Sequence, residues 1–347
     1  MILGVSRFLH LSATNVKINL TCYTKSFNDV SHRRKLIRIL MTCPKVFLLI
    51  YLQKLGCCLR IKFIILEPCG ARTLTKINFP MGTRTIMKQK PTTKLRILLT
   101  GAAGLVGTVL RSAWELDDQY QLTAVDLNDS DSNIQKADIR QAAQMKAICQ
   151  NQDVLVHLAY IGYQDILKHS TQMTDITASM LLFEIAREAG IKKIIYASTN
   201  AVTGWNEKLA QPANDNWTGL PPKVSTADQF RPDSWYGVMK GMAEIAGRYL
   251  VDAHQIQFIS IRIGSFIGGN EPNDIRHCST LLTPRDCVQL FSLAVDYQGP
   301  IKYLITYGTS GNTDGYQVGF MDIRPAVEIL GYRPKDNLIQ THRHRFI

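Results

Sequence analysis

Residues 95–107 read Leu-Arg-Ile-Leu-Leu-Thr-Gly-Ala-Ala-Gly-Leu-Val-Gly. The apolar run Leu95 to Thr100 has the length and composition of a buried strand. It leads directly into Gly101, Gly104 and Gly107, and then into a helix-forming stretch. Gly101 permits the tight turn after the strand. Gly104 lets backbone approach a pyrophosphate, and Gly107 lets the helix pack closely on the sheet. The helix N-terminus that follows favours the phosphate charge, and Leu105 and Val106 are placed with the glycines in this binding turn. Glycines at this spacing also occur in plain strand–helix turns, so the reading rests on their position between a strand and a helix.

Outward from this turn, a second strand, Tyr120 to Val125, ends at Asp126, nineteen residues after Gly107. An acid there accepts hydrogen bonds from the adenosine ribose hydroxyls and repels a 2′-phosphate, which favours NAD over NADP as the cofactor. The plainer role for Asp126 is to cap a turn with Asn128 and Asp129. Asp138 and Ile139 follow a short third strand and are expected to flank the adenine. Then come a strand from Val154 to Leu158, a long helix ending near Gly190, and a strand from Lys193 to Ala197. This alternation predicts an α/β protein, a Rossmann-type doubly wound parallel sheet with a small C-terminal substrate-binding lobe. The ligand belongs at the carboxyl ends of the strands.

The strand Lys193–Ala197 is followed by Ser198-Thr199-Asn200, and further on stands Tyr236-Gly-Val-Met-Lys240. Tyr and Lys four apart lie on one face of a helix. A Tyr hydroxyl titrates near pH 10 when unperturbed. A neighbouring ammonium and an oxidised nicotinamide both favour the phenolate, which makes Tyr236 a candidate general base. The Thr199 hydroxyl is placed to hold the reacting oxygen. A Tyr-x-x-x-Lys alone is most often a surface helix pair; the glycine turn, Asp126 and the strand-end Ser-Thr give this one its meaning.

Residues 95–335 resemble an extended short-chain dehydrogenase/reductase of the NAD-dependent epimerase/dehydratase superfamily. The resemblance is carried by Thr100 to Gly107, Asp126, Asp138-Ile139, His157-Leu158-Ala159, Ser198-Thr199 and Tyr236-x-x-x-Lys240. It implies Tyr236 as base, Lys240 binding the nicotinamide ribose and tuning the Tyr, Thr199 orienting the substrate, and Leu158 and Ala159 beside the cofactor. Within the superfamily the chain is similar to uronate dehydrogenases, through Arg231 to Lys240, Arg262-Ile-Gly-Ser265, Glu271-Pro-Asn, Arg276-x-x-Ser-Thr280 and Gly331 to Asp336. That similarity implies sugar contacts at Thr199, Asn200, Tyr236 and Ser265, with Arg276 gripping a substrate carboxylate. A guanidinium fork suits a carboxylate bidentately; the plainer reading of Arg276 is a surface arginine. Two positions depart from the pattern: Ala201 replaces a His, and Gly162 replaces a Ser. About twelve extra residues also lie between Thr199 and Tyr236, roughly Asn206 to Ala227, with Trp205, Trp217 and Pro221-Pro222 in or beside them.

The expected reaction is NAD-dependent oxidation of the anomeric hydroxyl of a sugar or sugar acid, uronate to aldarolactone in type. The alternatives are a sugar-nucleotide epimerase or dehydratase and a non-catalytic NAD sensor. Dehydratases of the superfamily carry acids directly after the catalytic Thr, where this chain has Asn200-Ala201. Only 107 residues follow Lys240, which favours a small, unactivated sugar. Sensors typically lose the Tyr or Lys that this chain keeps.

Composition frames these motifs. The 347 residues carry 40 Lys+Arg, 28 Asp+Glu and eight Cys, for a net charge of +12. A total of that sign invites a nucleic-acid or anionic-membrane partner. Residues 1–90, however, hold 16 bases and only two acids, Asp29 and Glu67, and the rest of the chain holds 24 bases and 26 acids. The excess belongs to residues 1–90, so the catalytic domain, 91–347, is expected to bind no nucleic acid. Within it, substrate elements come mainly from 200–230 and 264–347. The N-terminal segment shows no helical or strand period and is expected to be an unstructured extension, a stretch before the true start at Met81 or Met87, a mitochondrial targeting segment, or a binding arm. Its apolar part, Val46 to Leu66, is interrupted by Lys54, Arg60 and Lys62, which argues against a membrane-spanning helix. The Cys spacings match no zinc pattern, and Thr341-His-Arg-His-Arg reads as a solvated terminus, so no metal is expected. Cytoplasmic location, reduced thiols and homo-oligomers paired through the Tyr236 helix and the preceding long helix complete the expectation.

Overall fold

The computed structural model describes residues 37–43, 46–55, 58–67 and 70–80 by backbone alone, and residues 93–129, 131–161, 169–210, 224–312 and 319–345 with side chains except at 169–173, 209–210 and 343. Gly162, Trp217, Pro221-Pro222, Met81 and Met87 lie outside the described residues. The chain forms two compact units, Met1–Gln89 and Lys90–Ile347.

In the first unit, β1 (Ile37–Cys43), β2 (Val46–Leu55), β3 (Cys58–Glu67) and β4 (Gly70–Pro80) pair antiparallel in chain order. Over these residues the expectation of an unstructured extension gives way to a meander. No period of two announced it, because runs such as Val-Phe-Leu-Leu-Ile-Tyr do not alternate. Their β-branched and aromatic residues still favour extended backbone.

The second unit runs β5 (Leu95–Thr100), α1 (Leu105–Trp114), β6 (Tyr120–Asp126), β7 (Gln135–Lys136), α2 (Ala142–Ile148), β8 (Val154–His157), α3 (His169–Glu188), β9 (Lys193–Thr199), α4 (Gly204–Ala210), α5 (Trp235–His254), β10 (Gln257–Ile263), α6 (Ile275–Thr280), α7 (Pro284–Asp296), β11 (Tyr303–Gly308) and α8 (Leu338–His342). The seven strands form one parallel sheet in the order β7-β6-β5-β8-β9-β10-β11. Strand order reverses between β5 and β8, and that switch point opens a crevice at the carboxyl ends.

Both faces of the sheet are covered, which is why its central strands β5, β8 and β9 read as largely apolar runs rather than strict alternation. Ile97, Leu99, Val156 and Ile259 pack with Leu110 and Trp114 of α1 and Leu290 and Phe291 of α7. Leu98, Leu155, Ile194 and Phe258 pack on the other face with Met145 of α2, Leu182 and Phe183 of α3, and Met239 and Ala243 of α5. Helix α5 starts where Ser234 Oγ accepts from the Gly237 amide at 3.2 Å and stops at left-handed Gln255. Its outer face leaves Ile245 and Tyr249 exposed, beside Met180 of α3.

The C-terminal lobe is small. Two isolated parallel bridges, Ser265 to Leu281 and Val224 to Met321, tie its segments to one another. At the end of the chain Thr341, His344 and Arg345 are exposed, as the solvated-terminus expectation has it, but the tail also makes polar contacts. Arg345 Nη1 donates to Glu271 Oε2 at 2.5 Å, and His342 Nε2 lies 3.5 Å from Glu271 Oε1 with its side chain mostly covered. Charge complementarity thus draws this basic tail onto the Glu271 loop. Among the described residues no helix is long and apolar enough to cross a membrane.

Candidate active site

Register brings the first half of the site together. Thr100 pairs with Val125 on one side and with His157 on the other, so Gly101 stands between Asp126 and Leu158. Gly101 has φ +76°, and a Cβ there would lie 2.6 Å from the Ala159 nitrogen. At Gly107 a Cβ would lie 2.1 Å from the Gly101 carbonyl oxygen, so helix α1 can approach the turn only without a side chain. No side chain caps the N-terminus of α1. Its first-turn amides are therefore open to a phosphate.

A cavity of about 340 Å³ lies beside this turn, lined in part by Gly101, Gly104, Asp126, Ile139, Leu158 and Ala159. Asp126 Oδ2 accepts from the Ala103 amide and Oδ1 from the Asn128 amide, each at 3.0 Å. The turn-capping role and a place on the cavity wall thus coexist in one carboxylate, which keeps further lone pairs for ribose hydroxyls. Apolar walls for an adenine, a glycine-lined turn and a carboxylate at the second strand end fit a dinucleotide. Of the residues expected in the cofactor site, Leu105, Val106, Gly107, Asp138, Tyr236 and Lys240 do not line this cavity. Asp138 is held by Arg140, which binds both its oxygens and keeps its carboxyl below the usual range. Leu105 is largely exposed at the start of α1, and Val106 packs against the core instead.

Tyr160 also lines the cavity, and its ring meets the Tyr236 ring edge-on at 5.1 Å between centroids. This cavity and helix α5 therefore adjoin through two aromatic rings. Tyr236 and Lys240 share a face of α5. Lys240 is buried and its Nζ donates to the Ala197 carbonyl at 2.9 Å, lying 5.9 Å from the centre of the Tyr236 ring. Burial lowers the Lys240 ammonium's pKa, while Asp175 and Glu244 oppose that shift. Asp175 is itself buried and accepts from the Ile161 amide at 2.8 Å.

The start of α5 is pinned to the turn after β9. Arg231 and Asp233 amides donate to the Val202 and Ala201 carbonyls, and a Cβ at Gly237 would lie 2.3 Å from the Ala201 oxygen. This close approach draws Tyr236 toward the Thr199 turn. Strand β9 extends two residues beyond its expected end, and Thr199 closes it; its Oγ1 accepts from the Ala201 amide at 3.2 Å. His157 sits behind this region, with Nδ1 2.7 Å from Thr100 Oγ1 and Nε2 3.0 Å from Ser179 Oγ. Burial and the nearby Lys240 push its pKa down to about 3, so it stays neutral and packs.

Thr199 pairs with Ile263 across β9 and β10, which puts Asn200 and Ser265 at adjacent strand ends. A chain of hydrogen bonds then joins the expected sugar contacts. Asn200 Nδ2 donates to Glu207 Oε2 at 2.7 Å, and Arg276 Nε donates to Glu207 Oε1. Arg276 Nη1 donates to Ser265 Oγ at 3.2 Å, which lies 2.9 Å from Thr280 Oγ1. Arg276 is thus not a free surface arginine. Among the described residues no group of three or more His, Cys, Asp or Glu side chains is placed to hold a metal.

Residues 97–284 match the NAD dependent epimerase/dehydratase family. The chain belongs to this family. Its cofactor is accordingly NAD. The chain is 30% identical over 252 residues to an L-arabinose 1-dehydrogenase (NAD(P)(+)) of Haloferax volcanii, covering 70% of this chain and 97% of that one. It is 29% identical to a uronate dehydrogenase of Pseudomonas syringae pv. tomato, covering 70% and 82%. The crystal structure of uronate dehydrogenase from Agrobacterium tumefaciens superposes with a TM-score of 0.57 at 26% identity, covering 73% of this chain and 90% of that one.

Two residues of this epimerase/dehydratase member were invisible to motif reading. Tyr160 has no fixed motif, although it directly follows the His157-Leu-Ala159 strand end. Glu207 falls in the extra stretch, and its partner Arg276 is 69 positions away. An ion pair of that separation exists only once the chain is folded.

Proposed function

We propose that this family member, an NAD-dependent oxidoreductase, oxidises the anomeric hydroxyl of a sugar or sugar acid to a lactone. Tyr236 Oη takes the hydroxyl proton as its phenolate, and the Lys240 ammonium stabilises that phenolate. Thr199 Oγ1 orients the reacting oxygen. NAD, when bound, supplies the acceptor for the hydride leaving the anomeric carbon, so the carbon is oxidised by two electrons as the nicotinamide is reduced. Asp126 and the glycine turn hold the cofactor. Asn200, Ser265 and Arg276 hold the sugar.

The observation that carries this reading is the buried Lys240 ammonium, fixed by Ala197 beside the Tyr236 ring. A buried cation on the helix face of a tyrosine has a chemical use in favouring phenolate, whereas a solvated helix pair would have none. The same reading takes the exposed face of α3 and α5 as the contact between copies of the chain, in a cytoplasmic homo-oligomer. The test is reduced-nicotinamide absorbance with NAD and a panel of aldoses, uronates and sugar phosphates. Turnover of at least one sugar, lost in Tyr236→Phe, is expected. Tight NAD binding with no turnover of any of them would overturn the proposal.

A further inference from the structure

The carboxylate of Glu207 stands inside the group of residues read above as the sugar site. It is 5% exposed and accepts from both Asn200 and Arg276. A guanidinium offers two bidentate edges, Nε with Nη2 and Nη1 with Nη2. In Arg276, Nε is committed to Glu207 and Nη1 to Ser265. Each edge therefore has one donor already in use. The charge is matched as well, one internal carboxylate to one guanidinium.

A substrate carboxylate reaching Arg276 would have to displace Glu207 or lie against it. Displacement leaves a buried carboxylate without its cation, which is costly. Lying against it sets two like charges on one guanidinium, the repulsive arrangement by which sites reject a wrong partner. A sugar carrying only hydroxyls meets no such conflict. Its hydroxyls can donate to the remaining lone pairs of Glu207 and accept from Arg276 Nη2, both charge-assisted bonds.

We propose that Glu207 is a specificity-determining residue that excludes sugar acids, so that the substrate is an uncharged aldose. This rests on the sugar-dehydrogenase reading and narrows it. It also gives the inserted stretch a function, since that stretch carries Glu207 on α4 into the site.

The experiment compares kcat/KM of the full chain with NAD on matched pairs that differ only at C6, galactose with galacturonate and glucose with glucuronate. The wild type is expected to favour the aldose of a pair by roughly tenfold or more, the factor of one charge-assisted hydrogen bond. Glu207→Gln keeps an acceptor for Asn200 and removes the charge. It is expected to move the ratio toward the uronate by about tenfold or more, in KM rather than kcat, because the change is in binding. Glu207→Asp is expected to retain the aldose preference. A wild type that favours the uronate overturns the inference on its own, even if the variants do not fold. An unchanged ratio in a folded, NAD-binding Glu207→Gln overturns it too, while leaving the dehydrogenase reading intact. No turnover of any sugar of the whole panel by NAD-binding wild type overturns that reading, and the inference with it.

Discussion

Lys240 and Ala197 are joined by a 2.9 Å hydrogen bond from the buried ammonium to the carbonyl, two residues before Thr199. The bond ties the helix that carries Tyr236, the proposed base, to the strand that ends at Thr199. It also fixes the cation beneath the Tyr236 ring. Substituting Lys240→Met is expected to lower kcat by about 10²- to 10⁴-fold, the range of general acid–base catalysis. Tyr236→Phe should fall at least as far. Steady-state kinetics checks both, with NAD binding followed separately to show that the cofactor site survives.

Asp126 bridges two backbone amides while facing the cofactor cavity. Asp126→Ser removes the negative charge and the proposed ribose bonds. The KM for NAD is expected to rise roughly tenfold, and the NADP-to-NAD ratio of kcat/KM to rise with it, as the repulsion of a 2′-phosphate disappears. Unchanged selectivity would place the ribose elsewhere.

Glu244 and Arg262 form a buried pair, with Nη2 to Oε2 at 2.8 Å and Nε to Oε1 at 3.0 Å, and both side chains are almost wholly covered. Ser260 adds a further bond to the same carboxylate. Glu244→Ala or Arg262→Ala strands the other charge and is expected to cost about 3–5 kcal/mol. Replacing both with Leu and Met should cost less than either single change. Denaturant unfolding of the three variants decides it.

His157 gives a pH signature. Folded, it stays neutral down to about pH 3. Unfolded, it takes a proton below its ordinary value of about 6.5. The unfolded state therefore binds more protons between these limits, and stability falls as pH falls. The contribution is present in full above about pH 6.5 and fades at no more than about 1.4 kcal/mol per pH unit below it. Unfolding midpoints at pH 7 and pH 5 should differ less in His157→Gln than in the wild type.

The exposed pair Ile245 and Tyr249 supplies a test of assembly. Tyr249→Asp is expected to shift the sedimentation coefficient toward that of a single chain, since a charge at an apolar contact is costly to bury. Kinetics with the same variant would show whether the site works alone.

Much of this protein is legible from residues 95–240 in order. The turn Gly101 to Gly107, Asp126 and the pair Tyr236 and Lys240 depend on local spacing, and local spacing survives in a linear chain. Strand β9 needed only two residues added at its end. Asp138 shows the limit of that logic: its position follows the third strand as expected, yet Arg140 two residues away claims its carboxylate.

The sequence by itself determined the parallel α/β sheet, the glycine turn and the shared helix face of Tyr236 and Lys240, because each is written in periodicity or in residues a few positions apart. Tertiary structure alone decided what Arg276 faces. Its charge and its place after Ser265 suit a sugar carboxylate, but folding delivers Glu207 to the same guanidinium from 69 residues away. Which carboxylate a cation meets depends on the distance between side chains in space, and no spacing along the chain encodes that distance.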